Sequence, residues 1–197
     1  MDVILMSAVA FLVAAVPYSL LIGHLVFNVD IRQFGDGNPG ATNVYRATGN
    51  RLWYFVAVAA DSLKGTIPVG VAFWSLNWMD ARIIPVAIAA IAGHAFSPLL
   101  GFKGGKAVAI TGGIWAALTL WEVPVVMGIS LFLWYRIFHE SDWVVMATMV
   151  TVLLWLLLMR RADSYLLWIW LGNFLILAHK HRAGLKHLPS LRRNGTP

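Results

Sequence analysis

VILMSAVAFLVAAVPYSLLIGHLVF, Val3 to Phe27, contains no charged side chain. As a helix rising about 1.5 Å per residue it would reach about 37 Å, more than the roughly 30 Å of hydrocarbon in a bilayer. It has neither a basic leader nor a small-residue cleavage site, so it reads as a retained membrane helix and not as a signal peptide. The composition extends this reading to the whole chain. Of 197 residues, 59% are hydrophobic and 12% charged, and the mean hydropathy is +0.73. A water-soluble domain would have too few polar side chains to cover its surface, so lipid is the expected solvent for most of the molecule.

Six further apolar runs follow: Leu52–Trp78, Ile83–Leu100, about Val108–Trp121, about Val125–Phe138, Val144–Met159 and Tyr165 to about Ala178. The expectation is an all-α, polytopic membrane protein of about seven transmembrane helices, forming a single domain over residues 1–197. The fourth, fifth and seventh runs are short for a crossing, so they must extend into their flanks or tilt in a thinned bilayer. Five or six crossings is the alternative count. With seven, the termini lie on opposite sides. Of the fifteen Lys and Arg residues, Lys64 lies within a helix, only Arg82, Arg160 and Arg161 fall on one side, and the rest fall on the other. The positive-inside rule then places the N-terminus outside and the C-terminus in the cytoplasm, with Arg160 and Arg161 as a blemish. The polar segment Asn28–Arg51, the loop Gly101–Lys106 and the basic C-terminal tail would share the cytoplasmic face, where they can converge.

The net charge of +6 raises the question of nucleic acid, but basic loops that orient a membrane protein and meet anionic lipid explain it better. With no cysteine, disulfides and thiolate chemistry are excluded. No His pair at i, i+4 spacing has an acid beside it, so a metal is not expected.

Two polar segments carry candidate chemistry. GDGNPGATNVYR, Gly35–Arg46, has a backbone able to turn its amides inward around an anion, with Asp36, Gly37, Asn38, Gly40, Thr42, Asn43 and Arg46 as its candidate binding residues. An ordinary turn-rich connector is the alternative. GFKGGKAV, Gly101–Val108, puts Lys103 and Lys106 around the diglycine Gly104–Gly105 just before a helix start, another setting for an anion. It is not a nucleotide P-loop, because the GxxxxGK[ST] spacing is absent. Asp61 and Lys64 stand at i, i+3 on one helix face, where they either lock helix packing as an ion pair or send Lys64 to a ligand phosphate. His94 lies less than three turns before Lys103, and His181 sits in the cluster His179–His187.

GNPGATN with its following Arg, DSLKG, GHAF followed by LGFKGGK, and a basic end containing His together resemble the bacterial acyl-phosphate:glycerol-3-phosphate acyltransferases, in order and spacing over nearly the whole chain. The resemblance implies a seven-helix monomeric enzyme of the bacterial inner membrane that uses no cofactor. Such an enzyme moves a fatty acyl group from acyl phosphate to the 1-hydroxyl of glycerol 3-phosphate, and a substrate phosphate is able to take the hydroxyl proton. It also implies Asn43, Lys106, His94 and His181 as the catalytic set. The phosphates would be held by Gly37, Asn38, Gly40, Thr42, Arg46, Lys64, Lys103, Gly104 and Gly105, with Asp36 at the binding position where an acid repels a phosphate unless it is protonated or paired. The chain departs from the family pattern in three places: Asp36 stands for Ser, Ala107 for the last Gly of KGGKG, and Gly184 for the Asn of HxxNI. Rival readings are a paralogue with another acyl acceptor and a non-catalytic carrier or binder of anions or lipid phosphates.

Overall fold

The computed structural model describes residues 2–160 and 163–191. Arg161, Arg192 and Arg193, counted in the charge balance above, lie outside them. The described residues form an all-helical bundle: α1 (Val3–Ala15), α2 (Tyr18–Phe27), α3 (Ala41–Thr48), α4 (Arg51–Gly70), α5 (Ile83–Ala95), α6 (Val108–Thr119), α7 (Glu122–Ile137), α8 (Ser141–Met159) and α9 (Ser164–Leu185). Four stretches are long and apolar enough to cross a membrane: Val3–Phe27, Arg51–Ser75, Ile83–Leu100 and Ser141–Met159. Leu12, Phe55, Leu154 and Leu175 point outward from their helices, as lipid-facing side chains do and a soluble surface rarely does.

The first apolar run is two helices and not one. Pro17 lacks an N–H and breaks the run, which frees carbonyls that a bilayer interior cannot satisfy with water. Side chains satisfy them instead: Ser97 Oγ donates to the Ala15 carbonyl at 2.6 Å, and Lys64 Nζ to the Val16 carbonyl at 2.8 Å. The polar segment after α2 also differs from a plain connector, since it folds α3 between Gly40 and the left-handed Gly49. The break expected between the runs ending at Trp121 and beginning at Val125 falls earlier, at Leu120 and Trp121, both with positive φ, and α7 starts at Glu122. At the other end of the chain, the basic segment expected to be a tail is helical as far as Leu185.

Helix pairs fix the direction of the bundle. α1 and α5 run parallel: Phe11 meets Gly93, where a Cβ would stand 2.2 Å from the Phe11 carbonyl, and four residues on Ala15 meets Ser97. α4 and α6 are also parallel, joined by Ser62 Oγ to the Ala109 carbonyl at 3.0 Å and Thr66 Oγ1 to the Gly113 carbonyl at 2.9 Å. Small and hydroxylic residues at these seams allow the close approach that lipid-embedded helices need. Deeper in, Trp115 donates to Asn173, and Asn173 to Thr111, tying α6 to α9 through fully buried polar groups.

All the polar connections gather at the two ends of the bundle. The segment 28–50, the loop 101–107, the α7–α8 turn and the C-terminal end of α9 occupy one end. Arg160, bonded to Glu122 and near Asp163, lies at the other.

Candidate active site

Asp36 sits at the tip of a turn between Gly35 (φ 60°) and Gly37 (φ 71°). The backbone there needs the left-handed region, which glycine enters without the clash of a Cβ. The carboxylate gathers donors from three places. Lys106 Nζ, from the loop leading into α6, stands at 3.0 Å. Asn43 Nδ2, in the first turn of α3, donates at 3.1 Å, and the Asn38 N–H at 3.3 Å. Arg46 Nη1 lies 3.7 Å away and donates to Asn43 Oδ1 at 3.1 Å, which holds the amide with its nitrogen toward Asp36. Burial pushes the Asp36 carboxyl up, but the Lys106 ammonium and the N–H donors outweigh this and hold it below the usual carboxylate value. Burial likewise pushes the Lys106 amine down, and the bonds to Asp36 and Asp142 more than offset it, so that its pKa is raised.

Lys106 has a second carboxylate partner. Asp142, in the first turn of α8, accepts from it at 3.1 Å, and the same oxygen lies 2.5 Å from His181 Nδ1. The other oxygen of Asp142 points at Gly184, where a Cβ would come within 1.9 Å of it. Gly184 therefore leaves room for an acid from a neighbouring helix. One carboxylate joins the α6 leader, the start of α8 and the end of α9.

The structure thus brings Asp36, Gly37, Asn38, Asn43, Arg46, Lys106 and His181 to one end of the bundle. Gly40 is the N-cap of α3. Thr42 and Lys103 are exposed and enter none of these hydrogen bonds. Gly104 and Gly105 act through close packing: a Cβ on either would fall within 2.2 Å of His94, on its carbonyl or on Nε2, and the Gly105 N–H is already given to the His94 carbonyl at 3.1 Å. Ala107 holds φ 65°, a left-handed conformation that costs a residue with a Cβ about 1–2 kcal/mol.

Lys64 and His94 lie deeper. Lys64 pairs with Asp61 at 2.9 Å, and Ser19 Oγ donates to the other Asp61 oxygen at 2.7 Å. His94 Nδ1 is 3.9 Å from Asp61. Asp61, Lys64, His94, Ser97 and Gly105 line a cavity of about 10 Å³, the room of a single water.

Sequence reasoning missed Asp142 and Lys180. Lys180 Nζ donates to the carbonyls of Ala95 at 2.9 Å and Gly104 at 2.8 Å, clamping the end of α5 to the diglycine loop. Asp142 had a signal, as one of only nine acidic residues in the chain, set in the turn before a long apolar helix.

Fold and site together define an integral membrane protein of bundled helices that gathers cations and amide donors around one anion position at one end. The glycerol-3-phosphate acyltransferase family model matches residues 4–190, and the chain belongs to that family. It is 37% identical to glycerol-3-phosphate acyltransferase 1 of Thermotoga maritima, over 90% of this chain and 93% of that enzyme. It is 32% identical to the glycerol-3-phosphate acyltransferase of Lactiplantibacillus plantarum, over 100% of this chain and 91% of that one. The fold matches the crystal structure of PlsY (YgiH), an integral membrane glycerol 3-phosphate acyltransferase in its glycerol 3-phosphate form. That match has a TM-score of 0.83 and 26% identity, and covers 93% of this chain and 90% of that one.

Proposed function

We propose that this protein transfers a fatty acyl group from acyl phosphate to the 1-hydroxyl of glycerol 3-phosphate, giving lysophosphatidic acid and inorganic phosphate. The observation that carries the reading is the convergence of Lys106, Arg46, Asn43 and the Asn38 N–H on a single anion position, in a chain of this family. A mixed anhydride is already activated, so the protein has chiefly to align two anionic substrates and neutralise charge as phosphate departs. Lys106 and Arg46 supply the charge, Asn43 and the loop amide the directed bonds. The acceptor hydroxyl attacks the acyl carbon, the bond from that carbon to the phosphate oxygen breaks, and the hydroxyl proton leaves with the phosphate. His181, held by Asp142, borders the cluster.

The reading extends to topology. The protein crosses the bacterial cytoplasmic membrane seven times as a monomer, with the N-terminus outside and the site on the cytoplasmic face. The Lys and Arg distribution supports this: Arg46, Lys106, Lys180 and Arg182 lie at the site's end of the bundle, against Arg160 at the other. Acyl chains reach the site from the bilayer and glycerol 3-phosphate from water.

The test is acyl transfer by the purified protein, offered palmitoyl phosphate or palmitoyl-CoA with labelled glycerol 3-phosphate. Lysophosphatidic acid formed only from palmitoyl phosphate is the expected result. Product from palmitoyl-CoA, or none at all from folded protein, would overturn the reading.

A further inference from the structure

Around Asp36 the protein has built an anion site and filled it with its own side chain. Two cations, a side-chain amide and a peptide N–H converge on its carboxylate within 3.0 to 3.7 Å. Charged and neutral donors drawn from separate elements onto one small anion are the surroundings that a phosphate monoester requires. The two carboxylates on Lys106 differ in how firmly they are held. Asp142 is 15% exposed and fixed by His181 and the surface of Gly184. Asp36 is 42% exposed and rides on a turn with a left-handed glycine on each side, so a small backbone rotation can carry it out while Asp142 keeps its hold on Lys106.

We propose that Asp36 is a resident anion occupying the phosphate subsite, and that a substrate phosphate binds by displacing it. This rests on the reading of these donors as the phosphate site. A dianionic monoester brings more charge and more acceptor oxygens than one carboxylate, so it wins the exchange, whereas weaker anions do not. The apparent affinity of every anion is reduced by the fraction of time the subsite is open. Asp36 thereby weakens the binding of all anions by the same factor, so only one that binds the open subsite tightly, as a dianionic phosphate does, fills it at working concentration.

The experiment is steady-state kinetics of Asp36→Ser and Asp36→Asn, with melting recorded for each. If the carboxylate fills the subsite nine-tenths of the time, its removal lowers KM about 10-fold, with a smaller change in kcat and tighter inhibition by inorganic phosphate. A fall in KM for glycerol 3-phosphate assigns the subsite to the acceptor, and a fall in KM for palmitoyl phosphate assigns it to the donor. Unchanged or raised KM for both in a folded variant would overturn the proposal and make Asp36 an organiser of its loop. Should Asp36→Ser fail to fold, Asp36→Asn carries the same test. Failure of the underlying site reading looks different: Lys106→Ala would then leave both KM values and kcat untouched.

Discussion

Lys64 and Lys106 each hold an aspartate at almost the same distance, Lys64–Asp61 at 2.9 Å and Lys106–Asp36 at 3.0 Å. The first is 2% and 4% exposed, the second 29% and 42%. Lys64 also caps a carbonyl freed by the break between α1 and α2, and Ser19 takes the remaining oxygen of Asp61. Lys106 stands between two carboxylates, one of them on a glycine-flanked turn. A charged pair so buried, with a cavity of about 10 Å³ beside it, has little room for a ligand to replace either partner and is suited to holding helices together. A pair of the same chemistry, left part-open and given more donors than its carboxylate needs, is a place for a ligand. Distance alone does not separate the two; enclosure and spare donors do.

Breaking the inner pair should have the largest effect. Lys64→Met leaves Asp61 without its cation and should destabilise the protein by about 3–5 kcal/mol, while Asp61→Asn with Lys64→Met should recover much of the loss. Thermal unfolding in detergent measures both. Equal melting of wild type and Lys64→Met would remove the architectural role.

The outer pair should fail in activity and not in folding. Lys106→Ala and Asn43→Ala should each lower kcat by about 10²–10³, as removal of one charge-stabilising donor does, with melting close to wild type. Full activity in either purified variant would detach that residue from the site.

The fold was legible in the sequence wherever the signal was hydrophobic length. Each expected apolar run appears as helix, because a bilayer leaves the backbone few other ways to satisfy its hydrogen bonds. The break at Pro17 was not legible, since the groups that make it tolerable, Ser97 and Lys64, are distant in sequence. The Gly35–Arg46 and Gly101–Lys106 segments were legible as motifs, and the structure joins them through Lys106 and Asp36. What escaped was Asp142, whose role exists only once α8 and α9 are packed. The same packing explains Gly184, which in the sequence is merely a missing amide and in the structure is the space that Asp142 fills.

That contact gives a finer test of the outer region. Gly184→Ala drives a methyl onto the Asp142 carboxylate, with an overpacking cost of about 1–3 kcal/mol, and loosens His181 and Lys106. Adding Asp142→Gly removes the crowding together with the carboxylate that joins the three elements, so the double variant should melt like Asp142→Gly alone and should not regain full activity. If the single Gly184→Ala variant melts like wild type, the three-way junction is not rigid.

The smallest effect is electrostatic and separates the regions by pH. The Asp36 carboxyl is held below its usual value, so its contribution is complete above a pH of about 4 and is lost as the pH falls through the lowered value. Lys106 is raised, so its contribution is complete below a pH of about 10 and is lost above that. The difference in melting between wild type and Asp36→Asn should therefore shrink at both extremes. A difference that persists undiminished into strong acid would show that the outer pair is structural like the inner one.

The most direct test is a calorimetric titration of glycerol 3-phosphate into the wild-type protein and into Lys106→Ala, both in detergent and without acyl donor. The account predicts saturable binding to the wild type and binding at least about 10-fold weaker, a loss of about 1.4 kcal/mol or more, to a variant that melts normally. Equal affinities in two folded proteins would place the phosphate elsewhere and contradict it.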